Sequence, residues 1–167
     1  MIFYVPPPSG SSLLWQLMIA ATLVLITLGV WDKDSGYKAL FSRVLCSSLS
    51  AFFVVSLILS FTTFVRVNED SIWIFGIYGR SIPIEDINIS QAKVLQLKKS
   101  KGYAPRRRTN GLSVFGYQTG WFDNNKLVFL TSWENVVYLP TKCCALFITL
   151  SEPQRFIDEI ERIKKSG

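Results

Sequence analysis

The sequence contains no histidine. The commonest general base near neutral pH and the commonest metal ligand are therefore absent, and so is any nucleophile triad built on an imidazole. Cysteine is scarce, with three in 167 residues. Cys46 lies in an apolar run, and Cys143 and Cys144 are adjacent, which matches no CxxC pair. Adjacent side chains are expected to diverge, so neither a disulfide framework nor a zinc site is expected. The pair reads as small apolar residues entering a strand. Charge is missing from two long stretches, LLWQLMIAATLVLITLGVW at 13–31 and VLCSSLSAFFVVSLILSFTTFV at 44–65. The first twelve residues, MIFYVPPPSGSS, hold no Lys or Arg, and DKDSG after Trp31 is no small-x-small cleavage site. Both absences argue against a cleaved signal peptide.

A helix rises about 1.5 Å per residue, and a hydrocarbon core of about 30 Å takes roughly 20 apolar residues. Both uncharged stretches meet that length, so the sequence predicts a two-helix transmembrane hairpin over 13–65. A short lead, 1–12, precedes it and a domain, 66–167, follows. Trp15 and Trp31 bracket the first span, as interfacial aromatics do. Serines 47, 48, 50, 56 and 60 in the second span permit close helix contact. Net charge is +6. From Arg66 onward fifteen basic residues face ten acids. Arg66 and Arg80 lie nearest the apolar runs and favour the cytoplasmic side. The expected placement is a multi-pass protein of the cell membrane with its C-terminal domain in the cytoplasm.

From Phe64 the pattern changes to short runs of β-branched and aromatic residues. FVRV and SIWIFGIY read as a hairpin, SIPIEDINI as a third strand with Pro83 at an edge, and QAKVLQL, 91–97, as a fourth. KKSKGYAPRRRTNG reads as a fourteen-residue polar linker, long enough to be mobile or functional. YQTGWF, KLVFLTSW, VVYLPT and KCCALFITL are further strands. In SEPQRFIDEIERIKKSG, Ser151 fits an N-cap and Pro153 an early helical position. Phe156, Ile157, Ile160 and Ile163 then form an apolar helical stripe. Strands followed by one helix predict an α+β domain, with six to eight strands in an antiparallel barrel or sandwich capped by a C-terminal helix.

Several motifs in this order resemble those of the bacterial pleckstrin-homology-like (PH-like) domains of small membrane proteins with two N-terminal spans. They are NEDSIWI with IPIEDI, Arg108-Thr-Asn-Gly111, Phe115-Gly-Tyr117-Gln-Thr-Gly-Trp-Phe122, SWENVVYLPT at 132–141 and the closing SEPQRFI. The likeness covers about residues 61–165. One departure is Phe115, where proline is usual before the Gly-Tyr pair. The resemblance implies a seven-stranded, strongly bent barrel or sandwich with a C-terminal helix, and it carries no catalytic residues.

The sharpest local feature is the basic run Lys98, Lys99, Lys101, Arg106, Arg107 and Arg108, with no acid among residues 98–108. Together with Tyr103 it is the candidate contact for anionic lipid headgroups or for a membrane partner; a solvated surface loop is the alternative. Gly111, Gly116 and Gly120 lack the spacing of a phosphate loop. Asn110-Gly111 reads as a turn, and Gly116 and Gly120 as sites of a bulge or bend. Tyr117, Trp121 and Phe122 are strand residues, the first two on one face. These rings lie beyond the basic run, which argues against nucleic acid. The expected function is a membrane-anchored binding or scaffold module without catalysis, metal or cofactor. Its partners are the bilayer, anionic lipid, another membrane protein or a second copy. An assembly subunit and a membrane-associated enzyme of unassigned reaction are the alternatives.

Overall fold

A computed structural model describes residues 1–8, 10–31, 36–100, 102–114, 116–123 and 125–166. Two long helices come first, α1 (Gly10–Trp31) and α2 (Tyr37–Thr62). They pack along each other, with Thr27 Oγ1 and Ser50 Oγ 3.0 Å apart across the seam. Gln16 and Ser50 are buried there, while Leu14, Leu17, Leu25, Leu28, Leu45, Phe52 and Ile58 are exposed.

Two membrane spans and a multi-pass placement do not hold. Among the described residues one helix is long and apolar enough to cross a bilayer, over Gly10–Gly29. In α2 the apolar stretch found among the described residues is Leu40–Val55. Those sixteen residues rise about 24 Å, short of a hydrocarbon core of about 30 Å. Arg43 lies within them, and Lys38 comes just before.

The domain holds ten strands among the described residues. β1 (Ile2–Tyr4), β2 (Phe64–Val67), β3 (Ser71–Phe75) and β4 (Ser81–Pro83) form one antiparallel sheet in that order. The chain start is thus no mere lead: Phe3 lies opposite Val65, and Val5 N–H donates to the Thr63 carbonyl. Single 3-10 turns follow β4 at Ile84–Asp86 and Ile89–Gln91. The second sheet runs β5 (Lys93–Leu95), β9 (Val136–Pro140), β10 (Ala145–Thr149), β8 (Lys126–Leu130), β7 (Tyr117–Phe122), β6 (Arg108–Val114). It is mixed rather than antiparallel, because β10 inserts between β9 and β8 and runs parallel to β8. The sheets do not close into a barrel.

Period-two alternation builds two cores on the six-stranded sheet. Leu127, Phe129, Val137, Leu139, Leu146 and Ile148 face the inner side of the four-stranded sheet, where they meet Phe3, Val65, Ile72, Ile74 and Ile82. Helix α3 (Pro153–Ser166) adds Phe156, Ile157 and Ile160 to that core. Pro153 opens this helix, as its fixed φ favours. Ser151 does not cap it but joins β1, its N–H donating to the Tyr4 carbonyl. Val128, Leu130, Val136 and Phe147 face the opposite side with Leu95, Leu97 and Phe122. Burial on both faces explains why β8 and β10 read as continuous apolar runs.

Candidate functional site

Residues 98–100 and 102–107 run as a strap beside the second core, with Tyr103 packed against it. The ring of Tyr103 packs on Tyr138, with centroids 5.1 Å apart. Lys93 Nζ donates to the Tyr103 hydroxyl at 2.6 Å and sits 4.3 Å from that ring's centroid. Lys126 Nζ donates to the carbonyls of Tyr103 and Ala104. Tyr103 is therefore half-buried and engaged within the domain.

Asp123 clamps the far end of the strap. Its carboxylate accepts from the N–H of Arg107 at 2.8 Å and of Arg106 at 3.1 Å, and Lys126 Nζ stands 3.0 Å away. Asp123 N–H in turn donates to the Arg107 carbonyl. Burial pushes the Asp123 carboxyl up, but the Arg107 N–H, the Lys126 ammonium and the Arg106 N–H together outweigh it and hold the pKa below its ordinary 3.8. A lowered folded-state pKa adds stability above the unfolded value, and that stability is lost as pH falls through the folded one. The clamp is thus expected to hold at neutral pH and to release only in acid, below the ordinary carboxylate range. Asp123→Ala is expected to cost about 1–2 kcal/mol in urea unfolding at pH 7, with faster tryptic cleavage after Arg106 and Arg107. An unchanged cleavage rate removes the clamp from the account.

The strap's cations point outward. Lys98 pairs with Glu134 at 3.4 Å, an exposed pair of little energetic weight. Lys99, Arg106, Arg107 and Arg108 are exposed; Lys101 lies outside the described residues. Leu97, Lys98, Ala104, Arg106 and Trp133 line an open concavity of about 420 Å³. Arg108 begins β6, and a seven-residue strand spans about 20 Å. At the other end of β6 the β6–β7 turn meets α1: a Cβ on Gly116 would lie 2.5 Å from Ser12 Oγ. The Thr63 hydroxyl, just past α2, is 3.4 Å from the Tyr117 hydroxyl. The arginines are therefore at the opposite end of the strand from the roots of both helices.

The glycine–aromatic segment has a structural role. Asn110-Gly111 is not a turn but mid-strand in β6, with Gly111 opposite Gly120. The ring of Tyr78 lies over this glycine pair, its hydroxyl donating to Asn110 Oδ1 at 3.3 Å. Tyr117 and Trp121 share one face, where Arg80 stands over the Trp121 ring, and Phe122 fills the second core. The register shift falls between Arg108 and Asn110, not at Gly116 or Gly120. Phe115 lies outside the described residues.

Cys143 and Cys144 do not diverge. Their sulfurs are 3.2 Å apart, both near Thr141 Oγ1. Burial holds the Cys144 thiol up at about 11. Among the described residues no group of three or more His, Cys, Asp and Glu side chains is placed to hold a metal ion.

Sequence reasoning missed two groups. In the sequence Asp123 stands in the polar stretch DNN and Lys126 opens the strand KLVFLTSW, with no local signal that joins them to the basic run. The other group is the outer face of the four-stranded sheet. There Phe64 stacks on Phe75 with centroids 5.0 Å apart, and Trp73 meets both edge-on. Alternation in FVRV and SIWIF was the available signal.

A family model described as a bacterial PH domain matches residues 64–164, more than half of the chain. No curated protein and no solved structure matches.

Proposed function

The chain belongs to the bacterial PH domain family, and from this premise we infer a non-catalytic binding module held at a membrane by α1, whose basic strap contacts an acidic surface on a partner protein. Attachment rests on α1. Its Gly10–Gly29 segment has the length to span, and only 11% of its most apolar stretch is buried inside the protein. A core helix of a soluble protein would be mostly buried.

The observation that carries the binding role is the strap itself. It presents Lys99, Arg106, Arg107 and Arg108 on a backbone already fixed by Asp123 and Lys126. A fixed contact loses less entropy on binding than a mobile loop. A protein partner is favoured over the lipid beside the helices by distance. The arginines lie about 20 Å along β6 from the turn at α1, while a headgroup layer is about 5–8 Å thick. Arginine forks suit carboxylates in bidentate geometry.

The test is a pull-down of the full chain in mild detergent, comparing wild type with a variant carrying Lys99→Gln, Arg106→Gln, Arg107→Gln and Arg108→Gln. The strap is held through main-chain groups, so this variant should keep its fold. The expected result is a partner retained by wild type, lost by the variant and eluted by salt. Equal recovery by both proteins overturns the strap as the contact.

A further inference from the structure

We propose that the outer face of the four-stranded sheet, built from Tyr4, Phe64, Trp73, Phe75, Ile77 and Arg66, seats the domain on the surface of the bilayer that α1 enters. The proposal rests on the membrane attachment inferred above and assigns the surface that meets the lipid.

The register arranges the face in rows. Tyr4, Phe64 and Phe75 are direct neighbours across β1, β2 and β3. Ile2, Arg66 and Trp73 form the next row. The opposite faces of the same strands are spent on the core through Phe3, Val65, Ile72 and Ile74. The outer side chains are exposed: Tyr4 65%, Trp73 41% and Phe75 40%, with Ile77 48% in the turn that follows β3. Large apolar side chains gathered on one solvent-facing surface mark an interaction site.

Chain connectivity selects the occupant. Phe64 follows the last residue of α2 with only Thr63 between them. Tyr4 lies six residues before α1 begins. The first row is therefore near the start of α1 and directly after the end of α2. The second row is two residues on, about 7 Å, which is the thickness of a headgroup layer. Tryptophan and tyrosine are enriched at that depth, and an arginine there meets lipid phosphates. Charge follows the same order along the strands. Arg66 lies in the second row, and Glu69 and Asp70 lie in the β2–β3 turn, about 13 Å from Phe64 and away from the helix root. An anionic surface would accept the first two rows and repel the third.

The experiment uses the unmodified full chain in vesicles of phosphatidylcholine and phosphatidylglycerol containing a photoactivatable phospholipid. Trypsin releases residues 67–80, a peptide that holds Trp73, Phe75 and Ile77. The expected result is flotation resistant to alkaline carbonate, with lipid adducts on peptide 67–80 exceeding those on the strap peptides. A second measurement uses a single-tryptophan protein that keeps Trp73, with Trp15, Trp31, Trp121 and Trp133 changed to Phe. Its emission should be quenched by brominated lipid. Flotation without adducts on 67–80 or quenching of Trp73 overturns the seating and leaves membrane attachment standing. Failure to float overturns both. Trp73 shielded equally in detergent, with crosslinked dimers, assigns the face to a second copy and overturns the lipid assignment.

Discussion

Replacing Gly120 with alanine is expected to cost the domain about 4 kcal/mol, a large share of the roughly 5–15 kcal/mol that holds a domain folded. Two causes add. Gly120 has φ +110°, a backbone conformation that L residues rarely adopt. A Cβ there would also lie 2.5 Å from Gly111 Cα and 2.6 Å from the Asn110 carbonyl oxygen. Both are backbone atoms and cannot rotate away. Tyr78 at 3.1 Å closes the remaining side. Gly102→Ala is the control, because nothing lies within 4 Å of a Cβ at that position. Urea unfolding of the two variants checks the difference, and a Gly120→Ala protein as stable as the control removes the glycine pair as a requirement of the fold.

Phe3→Ala is expected to cost about 3–5 kcal/mol, the range for deleting a buried aromatic ring. Phe3 is 4% exposed and meets Phe156 edge to face, with centroids 5.1 Å apart. The cavity would open where β1, β2 and α3 meet. Tyr4→Ala on the same strand removes an exposed ring and should change stability by less than about 0.5 kcal/mol. The two substitutions together test whether the chain start belongs to the core; equal effects would sink that conclusion.

What the sequence made legible follows from how local each signal is. The long helices, the alternating strands from Phe64 and the stripe of α3 each depend on residues within one element. The strand β1 was not legible, because IFY before three prolines is too short to show a period. Its assignment depends on β2, sixty residues later. The parallel pairing of β8 with β10 was hidden for the same reason: period-two alternation states which face is buried but not which strand is the neighbour. Asn110-Gly111 carried a true turn signature, yet tertiary packing overrode it, since the ring of Tyr78 needs the space. The candidate site was half legible. Charge alone marked Lys98 to Arg108. The order of that strap comes from Asp123, Lys126, Lys93 and Tyr138, which stand apart in sequence and meet only in the fold. The second membrane span failed on length: α2 is long as a helix, but the apolar stretch found in it among the described residues is only Leu40–Val55.

The junction of β1 with the entry to α3 sets a timetable for biosynthesis. Tyr4 and Ser151 touch although 147 residues separate them. At about 5–20 residues per second, the ribosome delivers the second partner on the order of ten to thirty seconds after the first. During that interval Phe3 and Val5 have no completed core to enter, while α1 is already available to a membrane. Under the proposed membrane attachment, insertion of the helix would precede closure of the domain, which waits until translation reaches Phe156.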